Sequence, residues 1–397
     1  MPDLSDGPLT GLKIIDLTTV IMGPYATQML GDLGADVIKV EPPRGDSVRA
    51  SVGREKGISG SFLNLNRNKR SIVLDLTKEP AKRALTKLIA QADVVVHNLR
   101  PKVIARAGFD YAAVAKMNPN IIYCAATGFG SEGPYADKPA YDDLIQASSG
   151  MAAMYVPVRG EPAYAPTVIC DKLAGQSIVN AVLAAVLHRE RGGGGQSVEV
   201  PMFESAIAFN LVEHLAAAAF SPPLGKTGYH RLQIPERKPY KTRDGYICIL
   251  PYSDRNWSDY FDFVGRKELV GHPRYATLAS RGSLFHELYA MVDEDAGKLT
   301  TAEWLAFCDK ADIPCMPIIG LDDIHADPHV QAVGLFEEAE HPVAGPYRVV
   351  RSPLRFSATP FRVRSHAPQL GQHNDEVLAE AGLSNEEIDA ALGRAPA

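Results

Sequence analysis

Short apolar runs alternate with helical periodicity through the first half of the chain. Leu12–Leu17 (LKIIDL) is rich in β-branched residues and suits a buried strand. Gly23-Pro24 then punctuates, Tyr25–Leu33 carries apolar residues at helical spacing, and Gly34 suits a helix C-cap. The strand pattern returns at Asp36–Val40 (DVIKV), Ser71–Leu76 (SIVLDL), Asp93–Asn98 (DVVVHN) and Asn120–Ala125 (NIIYCA), with an amphipathic helix at Ala81–Ala92. Strands alternating with helices predict a parallel sheet covered on both faces, whose ligands sit beyond the carboxyl ends of the strands. A helix follows over Ala174–Arg189, Gly192–Gly195 ends it, and Ser197–Val200 (SVEV) reads as a further strand. Another helix, Glu204–Phe220, is stopped by Ser221-Pro222-Pro223.

Beyond Lys226 the pattern changes. Tyr240–Leu250 reads as a hairpin around Asp244-Gly245. Helices are expected near Trp257–Val264 and Glu303–Lys310, and a Pro-rich tail from Arg351 carries one last helix, Glu376–Ala381. These breaks divide the chain into a large α/β domain (1–200), a connecting helix (201–224), a smaller α+β domain (225–325), and a connector that returns to the large domain (326–397).

Length agrees with more than one domain, because 397 residues exceed the roughly 250–300 that one core supports. A composition of 46% hydrophobic and 22% charged residues is that of a globular protein. The net charge of -6 does not suit nucleic acid as the main partner, so a small anionic ligand needs a local basic pocket. Five cysteines, an odd number with no C-x-x-C pair, argue against a disulfide framework or a zinc knuckle and for reduced thiols in the cytoplasm. The start, MPDLSDGPLTG, has no basic and apolar signal pattern. The most apolar helical stretch, Ile178–Leu187, is too short to span a bilayer, so no membrane is expected as a partner.

Candidate chemistry is sparse. The four glycines 192–195 fit neither phosphate-loop spacing and read as a helix-to-strand turn. His325 and His329 are four apart, but Pro328 lies between them, so no metal site is expected. Arg67–Arg70 (RNKR) reads as a solvated turn, with phosphate contact as the alternative. Asp171 sits where a helix begins. It reads first as an N-cap, with a nucleophile as the alternative on the same geometry, since a helix N-terminus favours an anion and supplies N–H donors for an oxyanion.

Several segments together resemble the class III coenzyme A transferases, the CaiB/BaiF family. They are PLTGLKIIDLTTVIMGPYATQMLGDLGADVIKVEPP (8–43), LNRNKRSIVLDL (65–76), HNLRPKVIARAGFDY (97–111), NPNIIYCAATGFGSEGPYADKPAYDDLIQASSGM (118–151), ICDKLAGQ (169–176), HRERGGGGQSVEVPMFES (188–205), RKPYKTRDGYICI (237–249) and PQLGQHNDEVLAEAGLS (368–384). The resemblance runs in order along essentially the whole chain. It implies a ring-shaped subunit, with a large doubly wound Rossmann-like domain and a smaller α+β domain, interlocked with a second copy in a homodimer. It also implies a reaction in which coenzyme A, as an acyl-CoA thioester, passes to a small carboxylic acid through aspartyl anhydride and aspartyl-CoA intermediates, with no metal. The family nucleophile falls on Asp171, and Asp142 falls beside it as a residue that orients the site. Coenzyme A contacts carry over to Asn98, Leu99, Arg106 and Tyr141, with Leu74 and Met202 lining the pocket. Leu74 and Met202 read equally as core packing.

The chain departs from the formyl-CoA:oxalate members, which carry glutamine where Ile21 stands and a mobile glycine loop where Pro223–Tyr229 is glycine-poor. A longer or less polar acid than oxalate is therefore expected. The rival α-methylacyl-CoA racemase branch carries a His-Asp pair where this chain has Tyr141-Asp142. An intramolecular transfer within one diacid is a second alternative. A non-catalytic coenzyme A-binding protein is a third, against which an intact Asp171 argues.

Overall fold

A computed structural model describes residues 7–51 and 53–395; the start read for a signal pattern lies largely outside them. The chain is a mixed α/β protein of two compact units. One comprises Met1–Ser149, Tyr164–Phe209 and His329–Ala397, the other Gly150–Ala163 and Asn210–Pro328.

The main sheet of the first unit has six strands: β1 (Lys13–Leu17), β2 (Asp36–Glu41), β3 (Lys69–Val73), β4 (Val94–His97), β5 (Ile122–Thr127) and β6 (Gln196–Pro201). They pair in the order β3-β2-β1-β4-β5-β6, and every pairing is parallel. The chain works outward from β1 to β3 and then crosses back to β4, so strand order reverses between β1 and β4. On one face Ile15, Ile38, Ile72, Val95 and Tyr123 pack with a helix at Glu79–Ala90 and with two C-terminal helices, Asn374–Glu380 and Asn385–Leu392. The second of those was not read from the sequence, although Ser384 and Glu387 form its capping box. Helix α1 (Met22–Asp32) and helix α2 (Ile169–Glu190) pack together, and α2 also lies on β5 and β6.

Helix α2 is longer than its apolar core suggests. Its 22 residues are, by length and composition, enough to cross a membrane; here Cys170, Ala174, Gly175, Ile178, Val182 and Ala185 are buried within the unit. Gly175 lets it approach α1, since a Cβ there would stand 3.0 Å from the Met22 carbonyl oxygen and 2.9 Å from Tyr25 Cδ1. The glycine run after α2 is a helix-to-strand turn, with Gly192 at φ +91°.

The basic cluster before β3 is no solvated turn. Arg67, Asn68 and Lys69 are 5%, 5% and 1% exposed. Arg67 pairs with Asp32 at 2.6 Å, and Lys69 with Asp16 at 3.1 Å, both of the latter fully buried. Lys69 also donates to the Pro24 carbonyl and to Asn66 Oδ1. Arg70 pairs with Asp36 and reaches Glu376 and Glu380 of the C-terminal helix. The acidic partners lie far off in sequence, so local charge alone misplaces the cluster.

The second unit has a three-stranded antiparallel sheet, Tyr240–Lys241, Tyr246–Ile249 and Cys315–Pro317. Helices Asp254–Phe263, Phe285–Ala296 and Thr301–Ala311 enclose a core around Trp257, Tyr260 and Trp304.

Burial alone would raise the Asp16 carboxyl, but Lys69 and Lys39, with bonds from Thr18 and Thr27, hold it well below the usual carboxylate range. Removing one partner strands the other charge. Lys69→Met is expected to destabilise the fold by about 3–5 kcal/mol, and Asp16→Asn with Lys69→Met by clearly less. Urea unfolding of the two variants checks this; equal losses would contradict it.

Candidate active site

A cavity of about 320 Å³ opens at the carboxyl ends of the strands, where strand order reverses. Thr19–Met22 follow β1, Asn98–Pro101 follow β4, Ala126–Gly128 end and follow β5, and Met202 follows β6. The loop Ala136–Tyr141 and Asp171 complete the wall. Residues from six segments thus converge, four of them because a parallel sheet brings all its carboxyl ends to one edge.

Asp171 is not the N-cap expected from the sequence. Helix α2 starts at Ile169, with Val168 in the capping position and no side-chain cap, so Asp171 lies in the first turn. Its carboxylate is therefore not committed to capping. Its backbone N–H donates to Asp142 Oδ1 at 2.9 Å. Asp142, 5% exposed, opens the helix Asp142–Ser148, and its other oxygen accepts from Gln146 Nε2 at 2.6 Å. Gln146, fully buried, accepts in turn from the Ala165 N–H. This chain of bonds ties the strand of backbone before α2 to the Asp142 helix. Burial first, and the nearby Asp142 charge second, push the Asp171 carboxyl up to about 6.

Asn98, Leu99, Tyr141 and Met202 line the same cavity as Asp171. Tyr141 is exposed, whereas Met202 is 4% exposed, so it serves the wall and the core together. Leu74 is not brought to the wall: it is 1% exposed within the sheet-face core. Arg106 is exposed in the last turn of the helix Pro101–Ala107 and does not line the cavity either. The cations that do line it, Arg100 and Lys138, were not singled out, though both lie inside family-like segments. The Lys138 ammonium sits 4.0 Å from the Tyr135 ring centroid. Among the described residues no group of three His, Cys, Asp or Glu side chains could hold a metal.

Comparison with known proteins adds to this geometry. The model of CoA-transferase family III matches residues 9–374. A succinate–glutarate CoA-transferase from Agrobacterium fabrum (strain C58) is 34% identical over 387 residues, which cover 94% of this chain and 95% of that one. A formyl-CoA:oxalate CoA-transferase from Escherichia coli O6:H1 is 31% identical over 411 residues, covering 96% and 98%. A crystal structure of a CAIB/BAIF family protein from Brucella suis superposes with a TM-score of 0.80 at 30% identity, covering 95% of this chain and 100% of that one.

The raised Asp171 carboxyl has a measurable cost. Its share of stability is whole below about pH 4 and is lost as pH rises through about 6, because the fold disfavours the ionised form. Asp171→Asn keeps the shape without the charge. It is expected to stabilise the protein by about 1–3 kcal/mol at neutral pH and by almost nothing near pH 4. Urea unfolding at both pH values checks this, and a variant less stable at neutral pH would contradict it.

Proposed function

Since the chain belongs to CoA-transferase family III, we propose that it moves coenzyme A from an acyl-CoA thioester to a carboxylic acid, with Asp171 as covalent nucleophile. The observation that carries this reading is the placement of Asp171: in the first turn of α2, on the wall of the strand-end cavity, with a carboxyl that titrates at about 6. Such a carboxylate is mostly ionised at neutral pH, yet more basic than a free aspartate and so a better nucleophile.

The Asp171 carboxylate attacks the thioester carbonyl. The C–S bond breaks, giving a mixed anhydride and the coenzyme A thiolate. The thiolate attacks the aspartyl carbonyl, expels the donor acid, and leaves a coenzyme A thioester on Asp171. The acceptor carboxylate attacks that thioester, the thiolate leaves, and it then attacks the acceptor's acyl carbonyl. The new acyl-CoA departs and Asp171 is free again. No proton moves in any step, so the site needs no general base. Each step exchanges one activated carbonyl for another, which explains how transfer proceeds without ATP or a metal. Burial keeps the nucleophile basic, and Asp142, which holds the Asp171 backbone, adds to this through its charge.

The acceptor we favour is a dicarboxylic acid longer than oxalate. The relative named succinate–glutarate CoA-transferase supports it, as does the apolar Ile21 on the cavity wall. Arg106 and Leu74 remain coenzyme A contacts in this proposal only as the resemblance assigns them. The same reading carries an interlocked homodimer working in the cytoplasm, and the exposed apolar side chains of Phe209 and Val212 on the helix Met202–His214 suit burial by a second copy.

Asp171→Asn should cost several orders of magnitude in transfer, and wild-type protein given acyl-CoA and then hydroxylamine should carry a hydroxamate on Asp171. In the wild type kcat/KM should fall about tenfold per pH unit below about 6, as Asp171 takes up its proton. Full transfer by the Asn variant, or a hydroxamate mapped to another residue, would refute the assignment.

A further inference from the structure

Val20 lines the same cavity as Asp171, and its φ is +73°. A β-branched residue rarely takes that left-handed conformation, which costs roughly 1–2 kcal/mol for an L-residue. Something must therefore hold it. The turn that contains it is gripped at three successive residues, across two peptide groups. Lys39 Nζ donates to the Thr18 carbonyl at 2.9 Å. Asn98 accepts from the Thr19 N–H at 3.0 Å and donates to the Thr19 carbonyl at 2.8 Å. The Val20 N–H donates to both oxygens of Asp46, at 3.2 and 3.3 Å.

Asp46 is itself fixed. Its side chain is fully buried and pairs with that of Lys39, also fully buried, at 3.0 Å. It accepts from the Val48 N–H at 3.1 Å, and its own N–H donates to Glu41 Oε2 at 3.0 Å. Glu41 is locked in turn by Arg49 at 2.7 Å and by Ser71. A buried ion pair contributes little to net stability when compared with apolar residues of the same shape. This one reaches from β2 to the cavity wall and holds the only donor that residue 20 offers.

We propose that Asp46 is a positioning residue for the transfer reaction: with Lys39 it holds Val20 in the left-handed conformation and thereby sets the Thr19–Met22 wall against the nucleophile. The inference rests on the function proposed above for the reaction, but the clamp itself can be tested without it. Val20 also packs against the cluster of Val48, Ile58, Phe62 and Leu63, so the fair comparison is between two truncations that both lose that packing. In otherwise wild-type protein, Val20→Gly should exceed Val20→Ala in folding equilibrium constant by about five- to thirtyfold, because glycine takes a positive φ freely. Replacing both charges, Lys39→Met with Asp46→Leu, leaves no stranded buried charge, removes the acceptor of the Val20 N–H and lets residue 20 relax. On that background the order should reverse, with Val20→Ala ahead by about two- to fivefold, the usual handicap of glycine.

Transfer gives the second readout. Lys39→Met with Asp46→Leu should lower kcat/KM for the acyl-CoA about tenfold or more, and adding Val20→Gly should restore most of it, although that substitution removes packing. A purely structural ion pair predicts no such rescue. The same Gly-over-Ala order on both backgrounds, or native kcat/KM without the ion pair, would overturn the proposal. Should wild-type protein transfer no coenzyme A at all, the proposed function falls, and the two stability orders still decide the clamp.

Discussion

Four charged side chains, Asp16, Lys69, Lys39 and Asp46, sit without solvent exposure under the edge of the parallel sheet. Each must find its partner inside the protein, because a lone buried charge costs several kcal/mol. That requirement binds the first three strands to the turn after β1. Asp16 accepts from Thr18 and Thr27, Lys69 reaches the Pro24 carbonyl, and Lys39 reaches the Thr18 carbonyl. The start of α1 and the wall of the cavity thus follow from satisfying these charges. Hydrophobic packing holds the sheet to its helices; the ion pairs decide where the strand ends point.

The parallel sheet was legible in the sequence because its strands are continuous apolar runs. The periodicity of α1 and the switch to a different pattern beyond Lys226 were equally plain. What local pattern could not show was distance. The Arg67–Arg70 cluster looks solvated until Asp32, Asp16 and Asp36 are folded onto it. The start of α2 was placed late because its first turn, Ile169–Leu173, lacks a capping side chain. By contrast the helix Asn385–Leu392 carries a plain Ser-x-x-Glu signal at Ser384 and Glu387 that was passed over. Among site residues, Asn98, Leu99, Tyr141, Met202 and Asp171 came from likeness to a family, and the fold brings all five to one cavity. Nothing in composition or spacing would have assembled them.

The site also shows a conflict between folding and reactivity. The first turn of a helix favours a carboxylate, whereas burial and the neighbouring Asp142 oppose it, and the opposing effects prevail. Asp142 is needed where it stands, since it receives the Asp171 N–H. The bond that orders Asp171 therefore brings a charge that adds to the basicity burial already confers. Positioning and part of the basicity come from one side chain, so changing Asp142 alters both together.

The crossing of α1 and α2 has a different kind of consequence. At Gly175 a methyl group would crowd two atoms of α1, the Tyr25 ring and the carbonyl oxygen of Met22, and Met22 is part of the cavity wall. A larger residue there would be accommodated by sliding the helices apart by a few tenths of an ångström. Such a shift is small for a hydrophobic core but large for reacting atoms that must approach within about 3–3.5 Å. Selection for soluble protein would then pass over this position, while selection for turnover would hold it invariant. Gly175 is a place where the genetic record of the protein would register its chemistry rather than its stability.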